Sequence, residues 1–268
     1  MTFDAGRGPD QAGCHPRAPS LVRKTVLITG ATSGIGRATA LAFACRGANI
    51  AVIGRDDKRG RDVVAACEAA GGVACFIAAD VTQQDQLLTA VVQTCDRFGR
   101  VDVAFNNAGV QERRAPIAEQ PDHVFEAVFN ANVRALFWAM KAQIAAMLQA
   151  GGGGAIVNNA SVSGIRNPNA GLALYSASKA AVVSLTRSAA LEYGPRGIRI
   201  NSVSPGRIET PMMLDSGIAD MKVVAAALPA RRLGRPEEIA EAVVWLASDA
   251  ASFVIGHNLC VDGGFLAS

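Results

Sequence analysis

Two side chains four residues apart could carry out acid/base chemistry together. Tyr175 and Lys179 lie in the segment YSASK, and a helix would place them on one face about 6 Å apart along its axis. A free tyrosine has a pKa of about 10, but a neighbouring ammonium favours the phenolate and lowers that value. Tyr175 is therefore a candidate general acid/base for an alcohol and its carbonyl. The alternative is that the two side chains only pack against each other.

A serine upstream could act on the same substrate oxygen. Ser161 follows an apolar run, and its hydroxyl could stabilise the negative charge that develops when a hydride adds to a carbonyl carbon. Ser163 is a rival for this role because it lies only two residues further on.

A glycine-rich turn follows the first apolar run of the chain. In TGATSGIG, Gly30, Gly34 and Gly36 have the spacing G-x3-G-x-G and precede an alanine-rich segment. Glycines let the backbone approach a pyrophosphate closely, and the N-terminus of a helix supplies N–H donors. Taken alone, such a turn is explained equally well by tight packing.

The elements that would position these residues alternate along the chain. Short apolar runs separated by helical patterns predict a doubly wound parallel sheet whose strands are buried on both faces. The predicted strands are Thr25–Thr29, Asn49–Gly54, Val73–Ala79, Val101–Asn106, Ala155–Ala160, Ile198–Ser204 and Leu259–Val261. The predicted helices cover 35–46, 57–70, 83–98, 120–149, 175–193 and 237–248, with Gly47 and Gly71 as C-terminal caps.

Each remaining motif falls at the carboxyl end of a predicted strand, where open α/β sheets bind their ligands. A carboxylate at the end of the third strand could accept a hydrogen bond from an adenine amino group. The motifs are Asp80-Val81, the NNAG of 106–109, Ser161, YSASK and Pro205-Gly206.

The combination of TGATSGIG, NNAG, Ser161, YSASK and PGRIET resembles the short-chain dehydrogenases/reductases over about Lys24 to Gly264. The resemblance is to their single-domain branch, and it implies a Rossmann-like, doubly wound, seven-stranded parallel sheet with helices on both faces. It further implies hydride transfer between NADP(H) or NAD(H) and a carbonyl or secondary alcohol. The tetrad it implies is Asn132, Ser161, Tyr175 and Lys179. Ser161 lies fourteen positions before Tyr175, where many members show thirteen, which indicates one extra residue in the loop 164–174.

The resemblance also implies roles for individual residues. Lys179 would bind the nicotinamide ribose hydroxyls, and Thr210 would contact the carboxamide unless it only caps a helix before Pro211. Asn132 would hold a water relay to Lys179 or satisfy local packing, with Asn130 as the weaker candidate. The implied cofactor-binding residues are Gly30, Thr32, Ser33, Gly34, Ile35, Gly36, Arg55, Asp80, Val81, Asn107, Ala108, Gly109, Tyr175, Lys179, Pro205, Gly206, Ile208 and Thr210.

The end of the second strand favours NADP over NAD. An acid commonly binds the ribose hydroxyl of NAD there, but this chain has Gly54 followed by Arg55. Either Arg55 or Arg37 could pair with a 2′-phosphate. Asp56 and the next residue, also an aspartate, would favour NAD if the turn shifted.

Composition narrows the other possibilities. The net charge is +3 and aromatic residues make up 5%, which disfavours nucleic-acid binding. No uninterrupted apolar stretch is long enough for a membrane span. The six cysteines are scattered, so we expect reduced thiols, with Cys45 and Cys75 in the core, and a cytoplasmic location. The three histidines are isolated, and no metal site is predicted.

Assembly and substrate access are predicted from the apolar segments. Residues 207–232 form a methionine-containing lid over an alcohol or ketone substrate. The segments 131–148 and 178–193 carry more apolar surface than one sheet can cover, and with the resemblance this predicts a homotetramer. Residues 1–20 are predicted to be a disordered tail preceding a single domain at 21–268. Three arginines, Arg113, Arg114 and Arg166, are expected at the mouth of the cleft.

Two other functions compete with this interpretation. A non-catalytic dinucleotide sensor or scaffold could share the fold, but it would be expected to lack Tyr175 or Lys179. A sugar-nucleotide epimerase or dehydratase would ordinarily have a G-x-x-G-x-x-G turn, which this chain lacks.

Overall fold

Every predicted strand joins one parallel sheet. A computed structural model of the chain describes residues 21–167, 170–216 and 220–268, and its strands pair in the order β3-β2-β1-β4-β5-β6-β7. The strands are β1 Thr25–Thr29, β2 Asn49–Gly54, β3 Val73–Ala78, β4 Val103–Asn106, β5 Gly154–Asn159, β6 Ile198–Pro205 and β7 Asn258–Val261. The predicted fold class is confirmed, and the boundaries differ by at most two residues.

The strand order reverses direction at β1, which pairs with β2 on one side and β4 on the other. Thr29, at the end of β1, is in register with Ile53 of β2 and Asn106 of β4. The segments that follow β1 and β4 leave the sheet from adjacent positions, which opens a crevice at its carboxyl edge.

Helices cover both faces of the sheet and build two apolar cores. Val26 and Ile28 of β1 belong to the core with α1, α2 and α9, whereas Leu27 points into the core with α3, α5 and α6. This alternation explains the uninterrupted apolar runs of the strands. The helices are α1 Gly34–Ala44, α2 Asp57–Ala69, α3 Gln84–Phe98, α4 Asp122–Phe129, α5 Ala135–Gln149, α6 Ala173–Tyr193, α7 Pro211–Leu214, α8 Met221–Ala226 and α9 Pro236–Ala247.

The prediction of a single helix over 120–149 is wrong in one respect. A π-helical turn at Asn130–Arg134 separates α4 from α5. Such turns often occur at functional sites, and this one contains Asn132, whose side chain is engaged by a neighbouring loop. The apolar pattern continues through the turn, so periodicity alone does not reveal it.

The predicted lid over 207–232 contains the short helices α7 and α8, and its residues 217–219 lie outside the described residues. The predicted tail, 1–20, also lies outside them. Among the described residues, no helix has the length and apolarity needed to cross a bilayer.

The expected placement of Cys45 in the core is wrong, because Cys45, the C-cap residue of α1, is exposed. Cys75 is partly buried and packs against the core formed with α3, α5 and α6. Among the described cysteines, Cys67 on α2 is the fully buried thiol, and burial raises its pKa to about 11.

Candidate active site

A cavity of about 360 Å³ lies at the carboxyl edge of the sheet, and nearly all of the predicted site residues line it. They come from the turns after β1 to β6 and from the first turns of α6. The predicted residues lining this cavity are Gly30, Thr32, Ser33, Gly34, Ile35, Arg55, Asp80, Val81, Asn107, Ala108, Gly109, Ser161, Tyr175, Lys179, Pro205, Gly206, Ile208 and Thr210.

The glycine-rich turn brings bare backbone to the cavity wall. Gly30 has φ +62° and Gly34 has φ +51°, which favour glycine, and a Cβ on Gly30 would lie 2.9 Å from the Cα of Ala108. Ser33 precedes α1 in extended conformation without a side-chain cap, so the first N–H groups of α1 have no side-chain partner there. Exposed backbone beside a helix N-terminus suits a diphosphate.

Gly36 acts beneath the turn and does not line the cavity. A Cβ on Gly36 would lie 2.3 Å from the carbonyl oxygen of Gly30 and 2.6 Å from Nδ2 of Asn107. The missing side chain therefore lets α1 pack directly under its own entry turn.

Asn107 ties this turn to the end of β4. Its Nδ2 donates to the carbonyl oxygens of Thr29 and Gly30 at 3.2 and 3.0 Å, and its backbone N–H donates to Oγ1 of Thr29 at 3.0 Å. The Nδ2 of Asn159 in turn donates to Oδ1 of Asn107 at 2.9 Å. These bonds hold three strand ends at fixed spacing.

Tyr175, Ser161 and Lys179 meet on one wall of the cavity. The side chain of Ser161 lies close enough to the Tyr175 phenol to act toward lowering its pKa. The Nζ of Lys179 lies 5.7 Å from the Tyr175 ring centroid and donates to the carbonyl oxygen of Asn159 at 2.7 Å. The rival, Ser163, donates its backbone N–H to Oγ of Ser161 at 3.1 Å.

Desolvation shifts the pKa values of Tyr175 and Lys179 in opposite directions. It raises the pKa of Tyr175, while the hydrogen bond from Ser161 and the charge of Arg207 act the other way. It lowers the pKa of Lys179 to about 8. The sequence predicted that the Lys179 ammonium, together with the positive charge of an oxidised nicotinamide, lowers the pKa of Tyr175, and in the protein without cofactor the pKa is raised instead. The reason is that removing the phenol from water disfavours its charged form.

Asn132 is buried. Its side chain is hydrogen-bonded to the loop after β4 and to Ser178, and it makes no hydrogen bond to Lys179. Its Nδ2 donates to the carbonyl oxygen of Val110 and to Oγ of Ser178, and its Oδ1 accepts from the N–H of Val110, at 2.8 to 2.9 Å. A second cavity of about 20 Å³ lies between Asn132 and Lys179. This volume is enough for one water molecule.

The end of β2 presents one arginine to the cavity and no free acid. Arg55 lies 3.7 Å from a carboxylate oxygen of Asp80. Asp56 caps α2 and pairs with Arg59 at 2.6 Å, so its carboxylate is used within its own helix. Arg37, the other candidate for a 2′-phosphate, is exposed and does not line the cavity.

The turn after β6 forms the opposite wall. Thr210 accepts a hydrogen bond from the N–H of Met213 at 3.3 Å and so caps α7, as one of the two sequence interpretations expects. It also lies beside the first turn, since a Cβ on Gly34 would be 3.4 Å from its methyl group.

Three residues at the site are not among those predicted from the sequence. Asn159 orients Lys179 and Asn107, Arg207 lines the cavity, and Glu112 is buried against the start of α6. Asn159 could have been suspected from its position at the end of β5 and Arg207 from its place within the PGRIET motif, whereas no local pattern marks Glu112. The arginines expected at the cleft mouth, Arg113, Arg114 and Arg166, do not line the cavity. Within the described ranges, no cluster of metal-ligating side chains is present.

Comparison with known proteins places the chain among oxidoreductases. A family model described as enoyl-(acyl carrier protein) reductase matches residues 30–266. The 2,5-dichloro-2,5-cyclohexadiene-1,4-diol dehydrogenase of Sphingobium indicum is 43% identical over 248 residues, which cover 91% of this chain and 97% of the relative. The cyclohexanol dehydrogenase of an Acinetobacter species is 40% identical, over 90% of this chain and 94% of the relative. The crystal structure of levodione reductase has a TM-score of 0.88 at 36% identity, covering 92% of this chain and 99% of the other.

Replacing Gly36 by alanine should damage the turn and the binding of a dinucleotide together. The added Cβ would displace the backbone of Gly30, and we expect a loss of about 1–3 kcal/mol in the free energy of unfolding. We expect the dissociation constant for NADPH to rise about tenfold or more, as measured by fluorescence titration. Gly194→Ala is the matched control, because its Cβ would lie no closer than 3.7 Å to any neighbour. Unchanged binding and stability in Gly36→Ala would contradict the assigned role of this glycine.

Proposed function

Because this chain belongs to the short-chain dehydrogenase/reductase family, we propose that it transfers a hydride between NADP(H) and a cyclic secondary alcohol or the corresponding ketone. Membership establishes an NAD(P)-dependent oxidoreductase acting on alcohols or carbonyls. The observation that carries the assignment of roles is that Ser161, Tyr175 and the buried Lys179 line one cavity, with the Nζ of Lys179 5.7 Å from the centroid of the Tyr175 ring. The relatives give no support to the alternative of a non-catalytic sensor.

The residues present fit a nicotinamide dinucleotide. The glycine-rich turn and the N-terminus of α1 would hold its diphosphate, and Lys179 would hold the nicotinamide ribose. Ile208 and Thr210 would hold the carboxamide end, and Asp80-Val81 the adenine. When bound, the cofactor supplies or accepts the hydride.

Tyr175 and Ser161 act on the substrate oxygen. In reduction, Tyr175 donates its phenolic proton to the oxygen that becomes the alcohol, and in oxidation it accepts that proton. Ser161 donates a hydrogen bond to the same oxygen while negative charge develops there. A tyrosine is already protonated at neutral pH, and because burial raises the pKa of Tyr175 further, the phenol is in the form required for reduction.

Lys179 and Asn132 support this proton transfer. The Lys179 ammonium stabilises the phenolate after the proton has left. A water molecule in the 20 Å³ cavity would connect Lys179 to Asn132, which supports the relay that the family resemblance implies.

The substrate is proposed from the cavity wall and from the names of relatives. Val162, Leu172, Met212 and Met213 line the cavity with apolar surface. The two curated relatives are named for alcohols on six-membered carbon rings. An apolar ring bearing a secondary hydroxyl fits this combination, with the segment 207–232 as its lid.

The proposal extends to cofactor preference, assembly and location. Arg55 at the cavity favours NADP. The side chain of Phe137 on α5 is 50% exposed and Phe125 on α4 is 43% exposed, which supports burial in a homotetramer. The described cysteines are all free, in keeping with a cytoplasmic protein.

Tyr175→Phe should abolish most of the catalysis and leave cofactor binding nearly unchanged. The substitution keeps the ring but removes the hydroxyl that transfers the proton, and we expect kcat to fall by about 10³ or more. Lys179→Met should instead weaken cofactor binding and turnover together. Steady-state rates on a panel of cyclic alcohols and ketones, with cofactor fluorescence titration, provide the measurement. A Tyr175→Phe variant that keeps more than about a tenth of the wild-type kcat would exclude this role for Tyr175.

Arg55→Ala should weaken NADPH binding and leave NADH binding nearly unchanged. Loss of one charge-assisted contact to a 2′-phosphate predicts a rise of about tenfold in the NADPH dissociation constant. Arg61→Ala is the control, since Arg61 is exposed and pairs with Asp57 on α2. If the wild-type protein binds NADH about tenfold more tightly than NADPH, the proposed preference is reversed.

Phe137→Glu should dissociate the proposed tetramer, because a carboxylate would then be buried in an apolar interface. Light scattering of the purified protein measures this change. Val73→Glu, on the edge strand β3, is a control of similar exposure at 48%, and it should leave the assembly intact. An unchanged assembly in Phe137→Glu would place the interface elsewhere.

A further inference from the structure

A buried carboxylate contacts the start of α6 and has no part in the proposed chemistry. Glu112 lies in the loop after β4 and is only 5% exposed. Its Oε1 accepts from the N–H of Leu174 at 3.0 Å, and its Oε2 accepts from the N–H of Tyr175 at 3.0 Å. The residue is therefore attached directly to the backbone of the proposed acid/base.

This contact supplies the helix cap that α6 lacks locally. The first N–H groups of a helix have no partner within it, and Leu172, at the N-cap position, has no side chain that could accept them. Leu174 and Tyr175 are the second and third residues of α6, the positions that an N-cap side chain normally satisfies. Glu112 fills this role from 62 residues away in sequence, and its charge complements the helix dipole.

The loop that carries Glu112 is itself fixed to the protein. Both backbone groups of Val110 are hydrogen-bonded to the side chain of Asn132. Asn132 also donates to Oγ of Ser178, which donates to the carbonyl oxygen of Tyr175 at 2.7 Å. The N–H groups of the first turn of α6 are thus bound by Glu112, and the carbonyl oxygen of Tyr175 is bound by Ser178, which Asn132 connects to the loop after β4.

We propose that Glu112 is a positioning residue for proton transfer: its carboxylate accepts hydrogen bonds from the N–H groups of Leu174 and Tyr175 and so fixes the position of the Tyr175 phenol in the cavity. This inference rests on the proposed role of Tyr175. Glu112 contacts neither the cofactor nor the substrate in this assignment, and it acts through Tyr175.

The charge of Glu112 can be tested separately from its hydrogen bonds to the backbone of α6. The charged groups near the Tyr175 phenol are Lys179 on the same helix, Glu112 on the loop after β4 and Arg207 on the loop after β6. After desolvation, the charge of Glu112 contributes to raising the pKa of Tyr175, and the charge of Arg207 opposes it. Neutralising Glu112 should therefore lower the pKa of this phenol.

The chain has only two tyrosines, which makes Tyr175 directly observable. In a Tyr193→Phe background, the ultraviolet absorbance of the phenolate reports Tyr175 alone, with no need for activity. Into this background we would introduce Glu112→Gln, which removes the charge at nearly constant volume, and Glu112→Ala, which removes the clamp. Glu119→Gln is the matched control, because Glu119 is an exposed acid in the same connection between β4 and α4.

In the Glu112→Gln variant we expect the Tyr175 phenol to titrate at a pH lower by about half a unit or more than in the parent. The pH profile of alcohol oxidation should shift in the same direction. We expect Glu112→Ala to lose about tenfold or more in kcat while its dissociation constant for NADPH stays within about twofold. Glu119→Gln should match the parent in every measurement. Because Gln retains one acceptor oxygen, it keeps the test usable if the alanine variant is poorly folded.

Two results would overturn the inference. The first is a Tyr175 phenolate titration in Glu112→Gln that is unshifted from the parent. The second is a fall in kcat in Glu112→Ala that is accompanied by a proportionate loss of thermal stability and of cofactor affinity. Tyr175→Phe in the same assays separates this from failure of the proposed function. If Tyr175→Phe is inactive and the Glu112 variants behave like the control, only the role of Glu112 is wrong. If Tyr175→Phe remains active, the proposed function is wrong, and the titration still decides whether Glu112 acts on the phenol.

Discussion

The site depends on the contact between the turn after β1 and the end of β4. These two segments leave the sheet from neighbouring strands, and Asn107 joins them through hydrogen bonds to Thr29 and Gly30. The contact is possible only because Gly30 and Gly36 lack side chains at the points where the backbones approach. The spacing of the cavity walls, and hence of Tyr175 from the glycine-rich turn, follows from this arrangement.

The parts that could be predicted from the sequence are those set by local backbone requirements and by burial on both faces of the sheet. Short runs, most of them apolar at successive positions, identified the seven strands, and positive φ angles explain Gly30 and Gly34 of the glycine-rich turn. The positions of the site residues follow from the fold, because parallel strands must end at a common edge. For this reason the sequence alone predicts that Ser161, Tyr175 and Lys179 lie together.

The features that could not be predicted depend on contacts between distant parts of the chain. Glu112 is one acid in an irregular loop, and only the arrival of the α6 N-terminus makes it a cap. The π-helical turn at Asn130–Arg134 exists where Asn132 engages Val110, and neither partner changes the apolar period of the helix. The exposure of Cys45 depends on where α1 ends, which the sequence pattern leaves uncertain by one or two residues.

Desolvation accounts for the balance between the two titratable groups. It disfavours the phenolate of Tyr175 and the ammonium of Lys179, so in isolation each group tends toward its neutral form. The same low-dielectric surroundings strengthen the attraction between the two charges once a proton has left the phenol. With a pKa of about 8, Lys179 is still mostly charged at neutral pH, and the carbonyl oxygen of Asn159 holds its Nζ in place. In the proposed mechanism the phenolate would therefore be stabilised where Lys179 is protonated and fixed, and proton transfer would depend on the backbone at the end of β5 as well as on the two side chains.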